Sequence, residues 1–265
     1  MLQAIEETDV MSLPQSFDES QLVLGDATDS SLFEMGKFNL TITSPPYNVG
    51  MSYDNSDDGG EYDAYLEFSR RWLANCYLWS ADHGRLCMNI PLDKNNGGKQ
   101  AVTADLTTIA REVGWQYQTT IIWNEGTISR RTAWGSWCRP SAPHVIAPVE
   151  TIVVLYKDDW KRPHLGDDKV TIEPDEFKDW TLGIWQFNGE SAKAVGHPAP
   201  FPVELPRRCI RLYSYKGDNI LDPFAGSGTT LVAALRDERE PFGVELSEEY
   251  RVTALDRIRK ERRLV

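Results

Sequence analysis

Apolar residues along the chain gather in short runs, and these runs predict seven β-strands. The predicted strands are Leu22–Gly25, Phe38–Thr43, Arg85–Ile90, Trp115–Trp123, Thr151–Tyr156, Asn219–Phe224 and Phe242–Leu246. Helical patterns lie between most of them, and the clearest spans residues 61–79, where aromatic and aliphatic side chains share one face. Strands that alternate with helices indicate an α/β fold with a mostly parallel sheet covered on both sides.

A glycine-rich turn after the sixth predicted strand is the first sign of a ligand site. Residues 222–230 read Asp-Pro-Phe-Ala-Gly-Ser-Gly-Thr-Thr, and a helical run continues from Leu231. Such a turn lets a ligand approach the backbone and places an anionic group at the helix N-terminus. Glu245 closes the next strand, 23 residues after Asp222 (245 − 222), near the position of a ribose-binding acid. No lysine follows Gly228 and Leu231 replaces a third glycine, so a nucleoside with a small anionic tail is favoured over a pyrophosphate or triphosphate.

A second sign of chemistry follows the second predicted strand, where the chain reads Ser44-Pro45-Pro46-Tyr47. The two prolines have fixed φ angles and lack backbone donors, so the carbonyls of Ser44 and Pro45 point in set directions. A hydroxyl, a rigid carbonyl and an aromatic ring can together accept hydrogen bonds from an amino group on a flat ring and stack on that ring. Taken alone, the tetrapeptide fits a strand ended by a Pro-Pro turn equally well.

Together the two motifs resemble those of DNA methyltransferases that methylate exocyclic amino groups with S-adenosylmethionine. Thr-Ser-Pro-Pro-Tyr at 43–47 resembles the catalytic motif in the spelling common among cytosine-N4 enzymes, and residues 222–229 resemble the S-adenosylmethionine motif. Residues 132–137 and 197–202 match further, so the resemblance extends from about Leu22 to Arg257.

The motif order adds an expectation about the fold. The catalytic motif precedes the cofactor motif, as in the class called beta. This order implies a seven-stranded, Rossmann-like methyltransferase sheet that is circularly permuted and carries a small target-recognition insert. Leu22–Gly25 would supply the third methyltransferase strand from the N-terminus.

The same resemblance assigns roles to individual residues. The implied catalytic residues are Ser44, Pro45, Pro46 and Tyr47. The implied cofactor-binding residues are Asp26, Phe201, Asp222, Phe224, Gly226, Gly228, Thr229 and Glu245. The expected partner is double-stranded DNA with one base flipped out, because a base inside the duplex is inaccessible. Methyl transfer from a sulfonium requires no metal, and no metal site is expected.

Two segments without a clear core pattern are expected to face DNA within a single catalytic domain, residues 1–265. Residues 124–149 are predicted as a DNA-facing loop and residues 157–196 as the target-recognition insert, since long loops in compact domains are usually functional. The residues expected to contact phosphates and bases are Arg130, Arg131, Trp134, Trp137 and Arg139. A surface loop pinned by its tryptophans is the alternative interpretation.

Several alternatives to cytosine-N4 methylation of DNA stay open on the sequence. Adenine-N6 methylation is the nearest, methylation of protein glutamine or RNA is more distant, and a non-catalytic DNA-binding module is the least consistent with two intact motifs. The recognition site is not readable from one chain. A homodimer and a cognate restriction endonuclease are left open as further partners.

Composition is compatible with these expectations. The net charge of −12 comes from residues 1–63, which hold 13 acids and a single base, Lys37; residues 64–265 hold 27 acids and 27 bases and can present a local basic face. The four cysteines form no Cys-x-x-Cys pair, and no apolar run approaches the roughly 18 residues of a membrane helix. Reduced thiols and a cytoplasmic location are expected.

Overall fold

A sheet of eight strands forms the centre of the computed structural model, which describes residues 17–47, 52–53, 56–57, 61–92, 100–124, 135–143, 149–189 and 201–263. The strands in chain order are β1 (Leu22–Leu24), β2 (Phe38–Thr43), β3 (Ser52–Tyr53), β4 (Ser56–Asp57), β5 (Ser80–Pro91), β6 (Gln116–Asn124), β7 (Val149–Tyr156), β8 (Ile184–Gln186), β9 (Asn219–Asp222) and β10 (Glu240–Glu245). Strands β3 and β4 form a separate two-stranded ribbon.

The strand order in the large sheet is β1-β10-β9-β2-β5-β7-β6-β8. All neighbouring pairs are parallel except those of β7, which is antiparallel to β5 and β6. The parallel strands therefore all end at one edge of the sheet, here called the carboxyl edge, and all begin at the opposite amino edge. Strand β7 runs the other way, so Glu150 pairs with Pro91 at the carboxyl edge and Tyr156 pairs with Arg85 at the amino edge.

The predicted α/β architecture with a mostly parallel sheet is confirmed, and the strand count is corrected from seven to eight. The additional strand, β8, lies inside the segment predicted as an insert. It has three residues and buries one side chain, Trp185, so it is too short to produce a recognisable apolar run. Strand β1 pairs with β10 from the far end of the sequence, an arrangement compatible with the permutation, which stays a prediction.

Six α-helices are described. They are α1 (Tyr62–Trp79), α2 (Val102–Glu112), α3 (Pro174–Trp180), α4 (Glu204–Tyr213), α5 (Thr229–Arg236) and α6 (Glu248–Arg263). Successive strand residues face opposite sides of the sheet. In β7, Val153 and Leu155 join the core under α1 and α2, whereas Ile152 and Val154 join the core under α4 and α5. Two helical layers therefore cover the sheet, and none of the described helices is long and apolar enough to cross a membrane.

A group of ion pairs and hydrogen bonds fastens residues 157–171 to the amino edge. Arg162 forms a bidentate ion pair with Asp218, which directly precedes β9. Arg239, fully buried just before β10, donates to Thr171 Oγ1 at 2.8 Å and to the carbonyl of Ser214 at 2.7 Å. The beginning of the predicted recognition insert therefore lies at the amino edge, and the chain returns to the carboxyl edge only after β8.

Candidate active site

The Ser-Pro-Pro-Tyr motif forms a compact turn at the carboxyl end of β2. Ser44 Oγ and Tyr47 Oη are hydrogen-bonded to each other, which closes the turn over the two prolines. Pro45 is buried, while Ser44, Pro46 and Tyr47 are half-buried. The Tyr47 ring packs at the margin of the core beneath α1 and α2. The four predicted catalytic residues are thus held in one rigid turn with the Ser44 hydroxyl at its start.

Two polar residues that the sequence motifs did not identify support this turn. Asn89 lies near the end of β5 and is 1% exposed, and Glu150 lies near the start of β7. Asn89 Nδ2 donates to Glu150 Oε2 at 2.5 Å and to Tyr47 Oη at 3.1 Å. Asn89 interrupts the apolar run Arg85–Ile90 where a parallel strand ends. A buried polar side chain at that position is the signal by which it could have been found.

Asp222 connects the catalytic and cofactor motifs. Its carboxylate accepts from Thr43 Oγ1 at 3.0 Å, from the backbone N–H of Phe224 at 3.1 Å and from Thr230 Oγ1 at 2.6 Å. Thr43 directly precedes Ser44, and strands β2 and β9 are neighbours. Asp222 is 1% exposed, and its burial raises the pKa of its carboxyl group to about 6. Asp222 was predicted to bind the cofactor. Its hydrogen bonds join the end of β2 to the glycine-rich turn from inside the protein.

Glu245 combines fixed geometry with unused acceptor capacity. Its Oε2 accepts from the backbone N–H of Gly226 at 2.7 Å, and its Oε1 accepts from that of Ser247 at 2.9 Å. Burial raises the pKa of Glu245 above its ordinary value. Each carboxylate oxygen has a second lone pair, so Glu245 can also accept from the hydroxyls of a ribose. This geometry fits the predicted ribose-binding role.

Asp26 lies beside Glu245 at the ends of neighbouring strands. The N–H of Gly25 donates to the Glu245 carbonyl at 3.0 Å, which joins the end of β1 to the end of β10. The Asp26 side chain is exposed, and its Oδ1 accepts from the N–H of Thr28 at 2.8 Å. The structure therefore brings Asp26 and Glu245, two of the predicted cofactor-binding residues, to adjacent positions at the carboxyl edge.

The two turn glycines adopt conformations that favour glycine. Gly226 and Gly228 have φ angles of 50° and 78°, in the left-handed region. A Cβ on Gly228 would lie 3.0 Å from the Cβ of Ala254 in α6. Thr229, which begins α5, accepts from Arg257 at 2.8 Å through its hydroxyl. Gly228 and Thr229 were both predicted to bind the ligand. The Cβ position of Gly228 and the hydroxyl of Thr229 are both directed toward α6.

The two predicted aromatic residues of the cofactor site lie on different sides of the sheet. The Phe224 ring packs edge-to-face on Trp72 of α1, with ring centroids 5.4 Å apart. Phe201 is half-buried, precedes α4 and packs against the core on the opposite face. Phe224 thus braces the cofactor turn against α1, and the role of Phe201 as a cofactor wall stays a prediction.

The described part of the DNA-facing loop is a compact segment, residues 135–143. A backbone bridge between Gly135 and Pro143 closes it, and Ser136 Oγ donates to the carbonyl of Arg139 at 2.6 Å. Trp137 is 65% exposed, and Arg139 is also exposed. The loop joins the end of β6 to the start of β7, so both of its ends lie at the carboxyl edge. The other predicted contacts, Arg130, Arg131 and Trp134, lie outside the described residues.

Comparison with known proteins identifies the family. N6/N4 DNA methylases match the chain over residues 38–256. The Type II methyltransferase M.MjaVI of Methanocaldococcus jannaschii is 56% identical over 157 residues, which are 59% of this chain and 80% of that protein. The Type II methyltransferase M.HpaI of Haemophilus parainfluenzae is 24% identical over 240 residues, which are 86% of this chain and 70% of that protein.

Solved structures show the same architecture. A candidate DNA modification methylase from Thermus thermophilus, solved in complex with S-adenosyl-L-methionine, has a TM-score of 0.70 and 28% identity, covering 90% of this chain and 92% of that one. The cytosine-N4-specific PvuII DNA methyltransferase shares the fold, with a TM-score of 0.66 and 18% identity over 91% of this chain and 90% of its own. The chain therefore belongs to the N6/N4 DNA methylase family, for which S-adenosylmethionine is the methyl donor.

Proposed function

We propose that the protein methylates the exocyclic N4 of cytosine at a specific site in duplex DNA, as the modification enzyme of a restriction–modification system or as an orphan counterpart. The observation that carries this proposal is the turn Ser44–Tyr47, which begins with a hydroxyl and lies one strand away from the glycine-rich turn after β9. The serine at the first position of this motif supports cytosine, because it matches the form of the motif that is common among cytosine-N4 enzymes.

The catalytic turn acts on the amine, which is the weaker reactant. The lone pair of an amine on an aromatic ring is delocalised into that ring, whereas the sulfonium of the bound donor supplies a methyl group that is already electrophilic. Ser44 Oγ and the Pro45 carbonyl accept hydrogen bonds from the amine, which favours a pyramidal nitrogen with a localised lone pair. Pro46 fixes the direction of that carbonyl, because its ring restricts φ and removes a competing N–H donor. Catalysis then consists mainly of positioning and electrostatic stabilisation.

The cofactor turn provides complementary contacts for a nucleoside with a short charged tail. Glu245 accepts from the ribose hydroxyls through its remaining lone pairs, and Asp26 accepts from the adenine amino group. The first N–H groups of α5 attract the carboxylate of the tail. Asp222 acts indirectly, by holding this turn against Thr43 and Thr230.

DNA contacts are assigned to the segments that begin and end at the carboxyl edge. These are the loop 124–149 and the residues that follow β8. The target base leaves the duplex so that its amino group reaches Ser44, and Tyr47 stacks on it. Trp137 and Arg139 are exposed in the described part of the loop and can contact bases and phosphates.

Nucleoside analysis of methylated DNA tests the proposal. Purified protein is incubated with unmethylated plasmid or genomic DNA and S-adenosylmethionine, and the DNA is digested and examined by mass spectrometry, with Ser44→Ala as the control of strongly reduced activity. N4-methylcytosine is the expected product. N6-methyladenine in its place would overturn the cytosine assignment in favour of adenine-N6 methylation. Methylation of RNA or protein but not of DNA would overturn the substrate class.

A further inference from the structure

A connected cluster of four polar side chains lies where β2, β5 and β7 meet at the carboxyl edge. Ser44 Oγ contacts Tyr47 Oη, and Tyr47 Oη lies 3.2 Å from the carbonyl of Asn89 and 3.4 Å from Glu150 Oε2. Asn89 Nδ2 lies 3.1 Å from Tyr47 Oη and 2.5 Å from Glu150 Oε2. A chain of hydrogen bonds therefore connects the catalytic serine with the carboxylate of Glu150.

The chemistry of the partners sets the direction of this chain. An ionised carboxylate and a backbone carbonyl only accept hydrogen bonds, whereas the amide nitrogen of asparagine only donates. Tyr47 has one hydroxyl proton. Two acceptors lie on its sheet side, namely the backbone carbonyl oxygen of Asn89 and Glu150 Oε2. Asn89 Nδ2 fills one lone pair of the Tyr47 oxygen. In the hydrogen bond between Tyr47 and Ser44, the Ser44 hydroxyl is then the donor and the Tyr47 oxygen is the acceptor.

This direction leaves the Ser44 oxygen ready for a substrate amine. With its own proton donated to Tyr47, Ser44 Oγ has both lone pairs free to accept. In the opposite direction, Tyr47 would donate to Ser44, and the Tyr47 lone pairs would face the carboxylate and the carbonyl, which is electrostatically unfavourable. Ser44 Oγ would then have only one lone pair left for the amine, and its own proton would compete for the same space. Glu150 and Asn89 thus favour Ser44 as an acceptor.

We propose that Glu150 and Asn89 are positioning residues for methyl transfer, which act through the Tyr47 hydroxyl to present Ser44 Oγ as a hydrogen-bond acceptor to the target amine. This inference rests on the proposed catalytic role of Ser44. A further observation supports it: Asn89 Oδ1 is buried and has no hydrogen-bond partner among the described residues. The asparagine is therefore held through its donor side, and a buried unsatisfied acceptor of this kind calls for an explanation beyond stability.

A double-mutant cycle between Glu150 and Tyr47 tests the proposal. The measured quantity is the single-turnover rate of methyl transfer to DNA at saturating S-adenosylmethionine and DNA. We expect Glu150→Leu to lower this rate about tenfold or more, because the acceptor at the end of the chain is lost. Glu150→Gln retains an acceptor oxygen and is expected to keep most of the rate. In a Tyr47→Phe background, Glu150→Leu is expected to have almost no further effect, because its route to Ser44 is already broken.

Controls separate this role from a merely structural one. Glu67→Gln, at an exposed carboxylate on α1, is expected to leave the rate unchanged in either background. Dissociation constants for S-adenosylmethionine and thermal unfolding report whether each variant is folded, and Asn89→Leu offers a second cycle with Tyr47→Phe if Glu150→Leu does not fold. A wild-type rate in Glu150→Leu, or additive effects of the two changes, would overturn the proposal. Failure of the proposed function is distinguishable, since the wild type would then form no N4-methylcytosine in DNA, and failure of the catalytic role of Ser44 would leave Ser44→Ala with a normal rate.

Discussion

Side chains at the carboxyl edge differ in their hydrogen bonds. Some make all of them within the protein, and others keep acceptor capacity that a ligand can use. Asp222 accepts three hydrogen bonds within the protein and is 1% exposed, so it acts on the turn. Glu245 accepts one backbone N–H on each oxygen and keeps lone pairs for a ligand. Ser44 contacts Tyr47 through its hydroxyl and is half-buried, so it is not fully enclosed by the protein.

The buried carboxylate of Asp222 predicts a specific pH dependence of stability. Burial raises its pKa in the folded protein to about 6 from an ordinary value of 3.8, because lost hydration outweighs its hydrogen bonds. The contribution of Asp222 to stability is therefore fully present below pH 3.8 and is lost as the pH rises through about 6. Relative to Asp222→Asn, the wild-type free energy of unfolding should fall by on the order of 2 to 3 kcal/mol between about pH 4 and pH 7. Urea unfolding at several pH values measures this difference, and a wild type that gains stability relative to the variant would contradict it.

At the scale of elements, the cofactor turn depends on close packing between α5 and α6. The turn leaves β9, passes through two glycines with positive φ and enters α5 with Gly228 as its N-cap. Gly228 lies against Ala254, and Thr229 is hydrogen-bonded to Arg257, so α6 supports the turn. The close packing of α6 on this turn is a structural reason for the glycine at position 228.

Substitution of Gly228 by alanine separates close packing from backbone strain. Gly217 is the matched control, since it has a φ of 80° compared with 78° for Gly228, but nothing lies within 4 Å of its Cβ position. We expect Gly217→Ala to cost about 1 kcal/mol of stability from left-handed strain alone. Gly228→Ala should cost more, because Ala254 must shift, and it should also weaken S-adenosylmethionine binding. Urea unfolding and calorimetry measure both effects; equal costs for the two variants would show that the contact with α6 is unimportant.

Sequence patterns predicted the elements whose apolar runs are dense and bounded by turn residues. Strand β2 matches its predicted range, Phe38–Thr43, because the Pro-Pro turn ends it sharply. Strand β5 begins at Ser80 instead of Arg85, since polar residues fill its first half and His83 has a positive φ. The catalytic turn and the cofactor turn were predicted from short contiguous sequence motifs. The Asn89–Glu150 pair was not, because the two residues lie 61 positions apart and meet only through the antiparallel pairing of β5 and β7.

At the scale of the whole molecule, the two edges of the sheet differ: the predicted site residues lie at the carboxyl edge, and structural ion pairs lie at the amino edge. The carboxyl edge gathers the catalytic turn, the cofactor turn and the loop 124–149, although these segments are far apart in sequence. The amino edge is held by structural ion pairs, such as that between Arg162 and the nearly buried Asp218. Arg162, a basic residue in the first part of the predicted recognition insert, therefore stabilises the fold. Its positive charge alone could not show whether it pairs with an acid of the protein or with a phosphate of DNA.

This division predicts opposite phenotypes for two substitutions. Arg162→Ala leaves Asp218 without its ion-pair partner, with a side chain only 7% exposed, so it should lower the free energy of unfolding by about 3 kcal/mol and leave DNA affinity unchanged. Trp137→Ala removes an exposed side chain at the carboxyl edge and should weaken DNA binding by about 1 to 3 kcal/mol with little loss of stability. Urea unfolding and fluorescence anisotropy with a DNA duplex measure the two effects. A loss of DNA affinity in folded Arg162→Ala would place DNA contacts at the amino edge as well.

Two distant motifs meet on neighbouring strands, with one expected to hold the methyl donor and the other to prepare the amine. The most direct measurement is to determine, for Ser44→Ala, both the dissociation constant for S-adenosylmethionine and the single-turnover rate of methyl transfer to DNA. We expect a dissociation constant within about twofold of the wild type, since the described hydrogen bond of the Ser44 hydroxyl is to Tyr47 and none joins it to the cofactor turn, and a transfer rate lower by about a hundredfold. An unchanged transfer rate, or a fall in rate fully explained by lost cofactor affinity, would contradict this division of roles.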